Sequence, residues 1–306
     1  MKWPDNKQFA FTIFDDTDNA TLANIGPVYS FLTDIGFRIT KSVWPLEGVE
    51  PHPTAGETCE NPAYLEFLHD LRRRGHEIGY HMATWHTSER ARTTHALERF
   101  EKLFGESPRI MANHSRNLEN LYWGPDRLSG LRKFVYNAVT LGRYRNRFRG
   151  HCEGDPLFWG DLCRDKITYV RGFVYPEINT LKACPCMPYH DELRPFVRYW
   201  YASSEAATII SFNDLLSEAN QDRLESERGA SIVYTHFGAG FCINGEIDPR
   251  FKELMTRLAK KNGWFVPVTQ LLDYLKGPGT GHVISNRERS ELEWKWLKTK
   301  LLKGRS

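Results

Sequence analysis

The 306-residue sequence lacks the features that define several classes of protein. It has no run of 18 or more apolar residues, which a membrane-spanning helix requires. Its first seven residues contain no apolar stretch of the kind found in a secretory signal. Its six cysteines include no Cys-x-x-Cys pair, and no internal repeat is visible, which excludes zinc-finger, thioredoxin and solenoid classes. We therefore expect a cytoplasmic protein with free thiols.

The sequence also has little net charge. It holds 41 Lys and Arg against 38 Asp and Glu, a net of +3. Residues 287–306 contain seven basic and three acidic residues, a net of +4, which leaves −1 for residues 1–286. A neutral body lacks the basic face that binds phosphates, so we expect no nucleic-acid partner.

Strand-like and helix-like segments alternate along the body. Short apolar runs that predict strands lie at residues 9–14, 37–43, 76–80, 109–112 and 231–235. Stretches with helical periodicity separate them, which predicts a largely parallel sheet, open or closed as a barrel. Residues 116–230 are rich in aromatics with weak periodicity and receive no assignment. We expect one domain over residues 1–280, followed by a tail at 281–306.

Polar side chains follow four of the predicted strands: Asp15 and Asp16, His81, His114, and His236. In parallel α/β folds, ligands bind at the carboxyl ends of the strands. Asp15 and Asp16 would repel each other, and a divalent cation would hold both carboxylates. The alternative is that one caps the following helix and the other is solvated.

Two histidines, His81 and His86, could meet one ion if the four residues between them turn or are helical. One Asp with two His is a common ligand set for a catalytic zinc ion, because it leaves positions for water and substrate. His236, if it faces the ion, could protonate a leaving group. The alternative for His236 is a packed histidine without function.

These segments resemble the motifs of the NodB-type polysaccharide deacetylase family, a family of carbohydrate esterases. Phe11-Thr-Ile-Phe-Asp-Asp-Thr is similar to the first motif, Thr-Phe-Asp-Asp-Gly. Gly75-His-Glu-Ile-Gly-Tyr-His, with His86, resembles the second. Ser231-Ile-Val-Tyr-Thr-His, with the later Trp264-Phe-Val-Pro-Val-Thr-Gln-Leu-Leu, resembles the last. The resemblance covers residues 8–113 and 230–276.

The resemblance implies a distorted (β/α) barrel and a hydrolase that depends on a divalent metal, with zinc the first expectation. The reaction would remove an acetyl group from an acetylated sugar or oligosaccharide, in cell-surface polysaccharide or lipopolysaccharide biosynthesis. By the same resemblance, Asp15 is the general base and His236 the general acid. Asp16, His81 and His86 are the metal ligands.

Two departures from the family pattern leave alternatives open. The family has three residues between its two histidines, whereas this sequence has four, so His114 is an alternative metal or substrate residue. The family's third motif, an Arg followed by prolines, is absent in that form. Arg116 could orient the base, with a surface arginine as the alternative, and Asp161 could orient His236.

The tail places leucines and tryptophans among lysines over residues 288–306. A basic amphipathic helix can lie on an anionic membrane, so peripheral membrane contact is one expectation. A terminal helix docked on the body is the other. Two further functions also stay open: an amidase for a non-sugar C–N bond, and a barrel that binds a glycan or partner without catalysis.

Overall fold

The apolar run that follows Gln8 forms a strand that is buried along its whole length. In the computed structural model, which describes residues 2–303, other short strands pair with it into one sheet. In chain order the strands are β1 (Phe9–Asp15), β2 (Thr40–Val43), β3 (Glu77–Tyr80), β4 (Ile110–Met111), β5 (Tyr169–Tyr175), β6 (Tyr189–His190), β7 (Tyr199–Glu205), β8 (Ala230–Thr235), β9 (Cys242–Ile243), β10 (Glu246–Ile247), β11 (Gly263–Phe265) and β12 (His282–Val283).

Seven of these strands are parallel and close into a barrel in the order β1, β2, β3, β4, β5, β7 and β8, with β8 returning to β1. Strand β11 adds to β1 in parallel, and β6 pairs antiparallel with β7. The single-domain (β/α) barrel predicted from the sequence is confirmed. Residues 116–230, which the periodicity left unassigned, supply β5 and β7, which complete it.

Helices surround the barrel, and capping residues set where several of them begin. The Asn61 side chain accepts hydrogen bonds from the backbone N–H groups of Ala63 and Tyr64, at the start of the second helix. The helices are α1 (Leu22–Asp34), α2 (Pro62–Arg73), α3 (Arg90–Phe104), α4 (Gly130–Val139), α5 (Gly160–Lys166), α6 (Thr180–Ala183), α7 (Ile209–Leu215), α8 (Glu218–Ser226), α9 (Pro249–Ala259), α10 (Val268–Lys276) and α11 (Asn286–Lys303).

The C-terminal helix α11 is docked on the body of the protein. Leu292, Trp296 and Leu297 are buried, and the Trp296 ring lies 5.8 Å from that of Phe173 on β5. The fully buried Glu293 accepts hydrogen bonds from Arg132 and Arg194. Much of the apolar surface of the predicted tail therefore faces the protein. Residues 304–306 of that tail, like residue 1, lie outside the described residues.

No helix among residues 2–303 combines the length and the apolar character needed to span a bilayer.

Candidate active site

The two adjacent carboxylates at the end of β1 point in opposite directions, because side chains alternate between the faces of a strand. Asp15 faces helix α1 and is fully buried. Its carboxylate lies 2.9 Å from Lys41 Nζ and accepts hydrogen bonds from the Tyr29 hydroxyl (3.0 Å) and the Phe237 backbone N–H (2.8 Å). Burial raises the pKa of Asp15, and the charge of Lys41 offsets this only in part. Asp15 and Lys41 thus form a buried ion pair on the outer side of the barrel, closed to solvent.

Asp16 points into the barrel, on the same face as Phe14. There Arg171, on β5, donates to both carboxylate oxygens of Asp16, at 2.9 and 2.5 Å. The same guanidinium lies 5.2 Å from the centre of the Phe14 ring. Such a bidentate ion pair, with two hydrogen bonds from one guanidinium, fixes the plane of the carboxylate.

Asp18 joins two histidines into a buried cluster beside Asp16. Its two oxygens lie 3.1 Å from His81 Nε2 and 3.0 Å from His114 Nε2. His81 follows β3 directly, and His114 comes three residues after β4, so both lie at the carboxyl ends of barrel strands. The donor atoms of these three residues all lie within 4.8 Å of one another.

The hydrogen bonds around His114 settle which ring nitrogen carries its proton. The amide nitrogen of Asn117 donates to the Thr84 carbonyl and to Glu119, both at 3.0 Å, so the Asn117 oxygen faces His114. That oxygen accepts from His114 Nδ1 at 3.0 Å. In the neutral imidazole, Nε2 therefore presents its lone pair to Asp18 and His81, which is how a partner behind a histidine prepares it to bind a metal.

His236, after β8, completes the group of residues around Asp16 and Asp18. Its Nδ1 donates to the carbonyl of Ala207 at 2.8 Å. Its Nε2 lies 3.9 Å from Asp16 and 3.6 Å from Asp18. The His236 side chain is 18% exposed, against 1% for His81 and 2% for His114. The cluster is therefore most accessible to solvent from the His236 side.

The charges in the cluster are strongly linked. Burial raises the pKa of Asp18, but hydrogen bonds and charge from His114 and His81 outweigh it and hold that pKa well below its usual range. Burial lowers the pKa of His114, yet the contact with Asp18 raises it above the ordinary value. The contact between His114 and Asp18 thus favours the charged form of both groups.

A divalent cation fits this cluster by the chemistry of its donors. One carboxylate and two imidazole nitrogens converge, and Asn117 orients the lone pair of one of them. The buried Nδ1 of His81 has no hydrogen-bond partner among the described residues and lies 3.9 Å from Asp16. Asp18, His81 and His114 thus form a candidate metal site, with Asp16 and His236 beside it.

The structure places three other predicted site residues elsewhere. The Nε2 of His86 accepts a hydrogen bond from the backbone N–H of Val49 at 3.1 Å, because the chain after His81 loops outward toward residues 44–61. Arg116 is exposed, and Asp15, the base that it was expected to orient, is instead held by Lys41, Tyr29 and the Phe237 backbone. Asp161 forms a two-bond pair with Arg90, at 2.7 Å each, instead of contacting His236.

Two residues of the site were missed by the sequence reasoning. Asp18 is the third carboxylate in Asp15-Asp16-Thr17-Asp18, and the sequence prediction considered only the adjacent pair. Arg171 lies within the apolar run Tyr169–Tyr175. A lone charge inside a buried strand needs a partner, and that signal could have identified Arg171.

Comparisons with known proteins support the fold. A protein from Mycobacterium smegmatis, provisionally named a polysaccharide deacetylase, matches with a TM-score of 0.51 and 11% identity, over 90% of this chain and 92% of that one. Puue allantoinase matches with a TM-score of 0.52 and 11% identity, over 91% of this chain and 93% of its own. No protein-family model and no curated protein matches the sequence.

The fold and the site together define a class: a (β/α) barrel with a histidine–carboxylate cluster at the carboxyl ends of its strands. At 11% identity the comparisons show a shared fold. The resemblance to polysaccharide deacetylases that the sequence motifs indicate is confirmed at the level of that fold.

Proposed function

We propose that this protein is a metal-dependent hydrolase that removes an acetyl group from an acetylated amino sugar, in cell-surface polysaccharide or lipopolysaccharide assembly. The observation that carries the proposal is the convergence of Asp18, His81 and His114, with Asp16 and His236 beside them, at the carboxyl ends of the barrel strands. This is the edge at which α/β barrels place their chemistry.

Asp18, His81 and His114 would hold the divalent ion, and zinc suits a carboxylate with two imidazoles. When bound, such an ion polarises a carbonyl and makes water a better nucleophile. The role of the three residues is to hold the ion in a buried setting, open toward His236.

Asp16 is the best-placed general base. Arg171 fixes its carboxylate, and each oxygen keeps a lone pair free beyond that contact, so Asp16 can take a proton from an attacking water. His236 is the best-placed general acid. Its Nδ1 is tied to a backbone carbonyl, so its Nε2 would deliver a proton to the departing amine or alcohol.

This assignment moves the roles implied by the family resemblance along the chain. The base moves from Asp15 to Asp16, and the carboxylate ligand from Asp16 to Asp18. The second histidine ligand moves from His86 to His114. The reason in each case is contact: Asp15 is enclosed with Lys41, His81 and His114 both contact Asp18, and His86 contacts Val49.

The test is acetate release from N-acetylglucosamine oligosaccharides and acetylated xylan by the purified protein loaded with Zn²⁺. We expect release by the wild type and a loss of at least about 100-fold in Asp16→Asn and Asp18→Asn. Asp161→Asn is the matched control, because it makes the same change in a carboxylate paired with an arginine away from the cluster. Full activity in Asp18→Asn would overturn the proposal.

The allantoinase with the same fold favours a second candidate, hydrolysis of a C–N bond in a compound that is not a sugar. The same residues could serve it, because the chemistry at the carbonyl is the same. Allantoin in the same assay separates the two candidates. Turnover of allantoin without acetate release from the sugars would select the second.

A further inference from the structure

Helix α4 and the loop after it expose an unusual amount of apolar surface. No residue of α4 is buried. Half of the twelve large apolar side chains that are exposed among residues 2–303 lie here or at the end of α11: Leu131 (63% exposed), Phe134 (70%), Val139 (58%), Leu141 (93%), Leu301 (48%) and Leu302 (85%). Leu131 and Phe134 are three residues apart and so share one side of the helix. This is a patch, whereas scattered apolar residues would need no explanation.

The two segments form one continuous surface. They face each other across a groove of about 540 Å³. Val139, Leu141 and Arg143 line one side of the groove, and Trp296, Lys300 and Leu301 line the other. The rings of Tyr136 and Trp296 lie 5.7 Å apart at its base, which ties α4 to α11.

The same surface has an excess of positive charge. Residues 130–149 contain six basic residues and no acidic one, and three of the six, Arg132, Lys133 and Arg149, pair with Glu293, Asp126 and Asp155. Residues 294–302 add three lysines and no acidic residue. Arg143, Arg145 and Arg147 are exposed, and no ion pair within the described chain involves them. The Arg143 and Arg147 guanidinium groups lie 5.6 and 6.0 Å from the Tyr144 and Phe148 rings. We call residues 130–149 and 294–302 the basic apolar face.

We propose that the basic apolar face docks on the surface of an anionic lipid bilayer. Exposed leucine and phenylalanine side chains can enter the boundary between headgroups and acyl chains, while arginine and lysine contact anionic headgroups. A second copy of this chain is a poor occupant, because two such faces would bring like charges together. An anionic surface instead complements both properties of the face.

The face lies near the candidate active site. Ser115, which follows His114 directly in the chain, lines the same groove as Leu141 and Leu301. The cluster itself is most exposed at His236. The docking itself does not depend on the proposed chemistry, and its test needs no turnover.

The experiment measures binding of the full chain to vesicles of phosphatidylcholine, with and without 30% phosphatidylglycerol, by co-sedimentation. We expect binding to the anionic vesicles that weakens as salt is raised. The triple variant Arg143→Gln, Arg145→Gln, Arg147→Gln should bind roughly 100-fold more weakly, since each basic residue near the surface contributes about five-fold. The control Arg228→Gln, Lys252→Gln, Lys260→Gln removes the same charge from exposed positions elsewhere and should bind as the wild type.

A second pair of variants tests the apolar part. Phe134→Ser with Leu141→Ser should weaken binding at least 10-fold. Ile210→Ser with Ile243→Ser is the matched control, because these side chains are also 73% and 64% exposed. Circular dichroism confirms that each variant folds. Unchanged vesicle binding in both face variants would overturn the proposal. The proposal would also be overturned if the wild-type chain does not bind anionic vesicles and instead forms a dimer that the face variants do not form.

Discussion

The adjacent residues Asp15 and Asp16 lie in different environments, although each carboxylate pairs with a cationic side chain. Asp15 and Lys41 have no exposed side-chain surface and are surrounded by Tyr29 and the Phe237 backbone. Asp16 and Arg171 lie inside the barrel, where the Asp16 carboxylate is 3.9 Å from both His81 and His236. The outer pair is closed on all sides, whereas the inner pair borders a cluster with converging lone pairs. A buried ion pair can take part in catalysis only if a substrate, a water molecule or another catalytic side chain can still contact it.

The largest expected effect breaks the outer pair. Asp15→Asn should lower the free energy of unfolding by about 3–5 kcal/mol, because it leaves the Lys41 ammonium buried without a counter-charge. Urea denaturation measures the loss. The double variant Asp15→Asn, Lys41→Met should recover much of it, since no buried charge is then left alone.

The same variants decide which carboxylate is the base. If Asp15→Asn keeps its stability and loses all acetate release, Asp15 has the role that the family resemblance implies, and our assignment to Asp16 is wrong. We expect the reverse: a less stable Asp15→Asn protein that is active while folded, at low temperature.

The region around the outer pair, Asp15 and Lys41, should also lose stability in acid, because of His76. The backbone N–H of Ile39 donates to His76 Nδ1, and the Thr33 hydroxyl donates to the Tyr29 carbonyl, so it accepts from His76 Nε2. The neutral ring is satisfied, and a second proton would face the Ile39 N–H. Burial lowers the pKa of His76 to about 4.

Because the unfolded chain binds this proton near pH 6.5 and the folded chain only near 4, stability falls as the pH drops between those values. The loss should reach up to about 3 kcal/mol. Denaturation of the metal-free protein at pH 7 and pH 4.5 measures it. His76→Gln should show a flatter dependence on pH, and an equally steep one would assign the loss to other groups.

Arg171→Lys tests the inner pair with a smaller change in free energy. A lysine keeps the positive charge but cannot make the two-bond contact that fixes Asp16. We expect kcat to fall about 100-fold with little change in stability. Arg90→Lys, which changes the exposed two-bond pair with Asp161, should leave kcat unchanged. Equal effects of the two substitutions would remove the argument for Asp16 as the base.

The sequence predicted the barrel well because its evidence is local. Apolar runs such as Phe9–Phe14, and helix starts such as Asn61-Pro62, reflect the strand or helix that each forms. Strand β5 was missed because Arg171 and Gly172 interrupt its apolar pattern.

The site was predicted less completely, since contacts across the barrel decide it. His81 and His236 were identified by their place after strands, and His114 was named as an alternative. Nothing local indicates that Asp16 meets a residue 155 positions away, or that Asp18 lies between two histidines. For the same reason, the sequence left open whether the tail docks on the body, because Glu293 meets its partners Arg132 and Arg194 only in the folded chain.

The smallest effect we predict concerns Asn117, which touches the cluster through one hydrogen bond. Asn117→Ala removes the acceptor behind His114, so the His114 ring loses its preferred tautomer and orientation. Zinc affinity, measured by competition with a chromophoric chelator, should fall about 10- to 100-fold. His86→Gln is the control and should change affinity less than about two-fold, because His86 contacts the Val49 backbone instead of the cluster. A large loss of zinc affinity in His86→Gln, with none in Asn117→Ala, would assign the ion to His86, as the family resemblance implies. The cluster of Asp18, His81 and His114 would then not be the metal site.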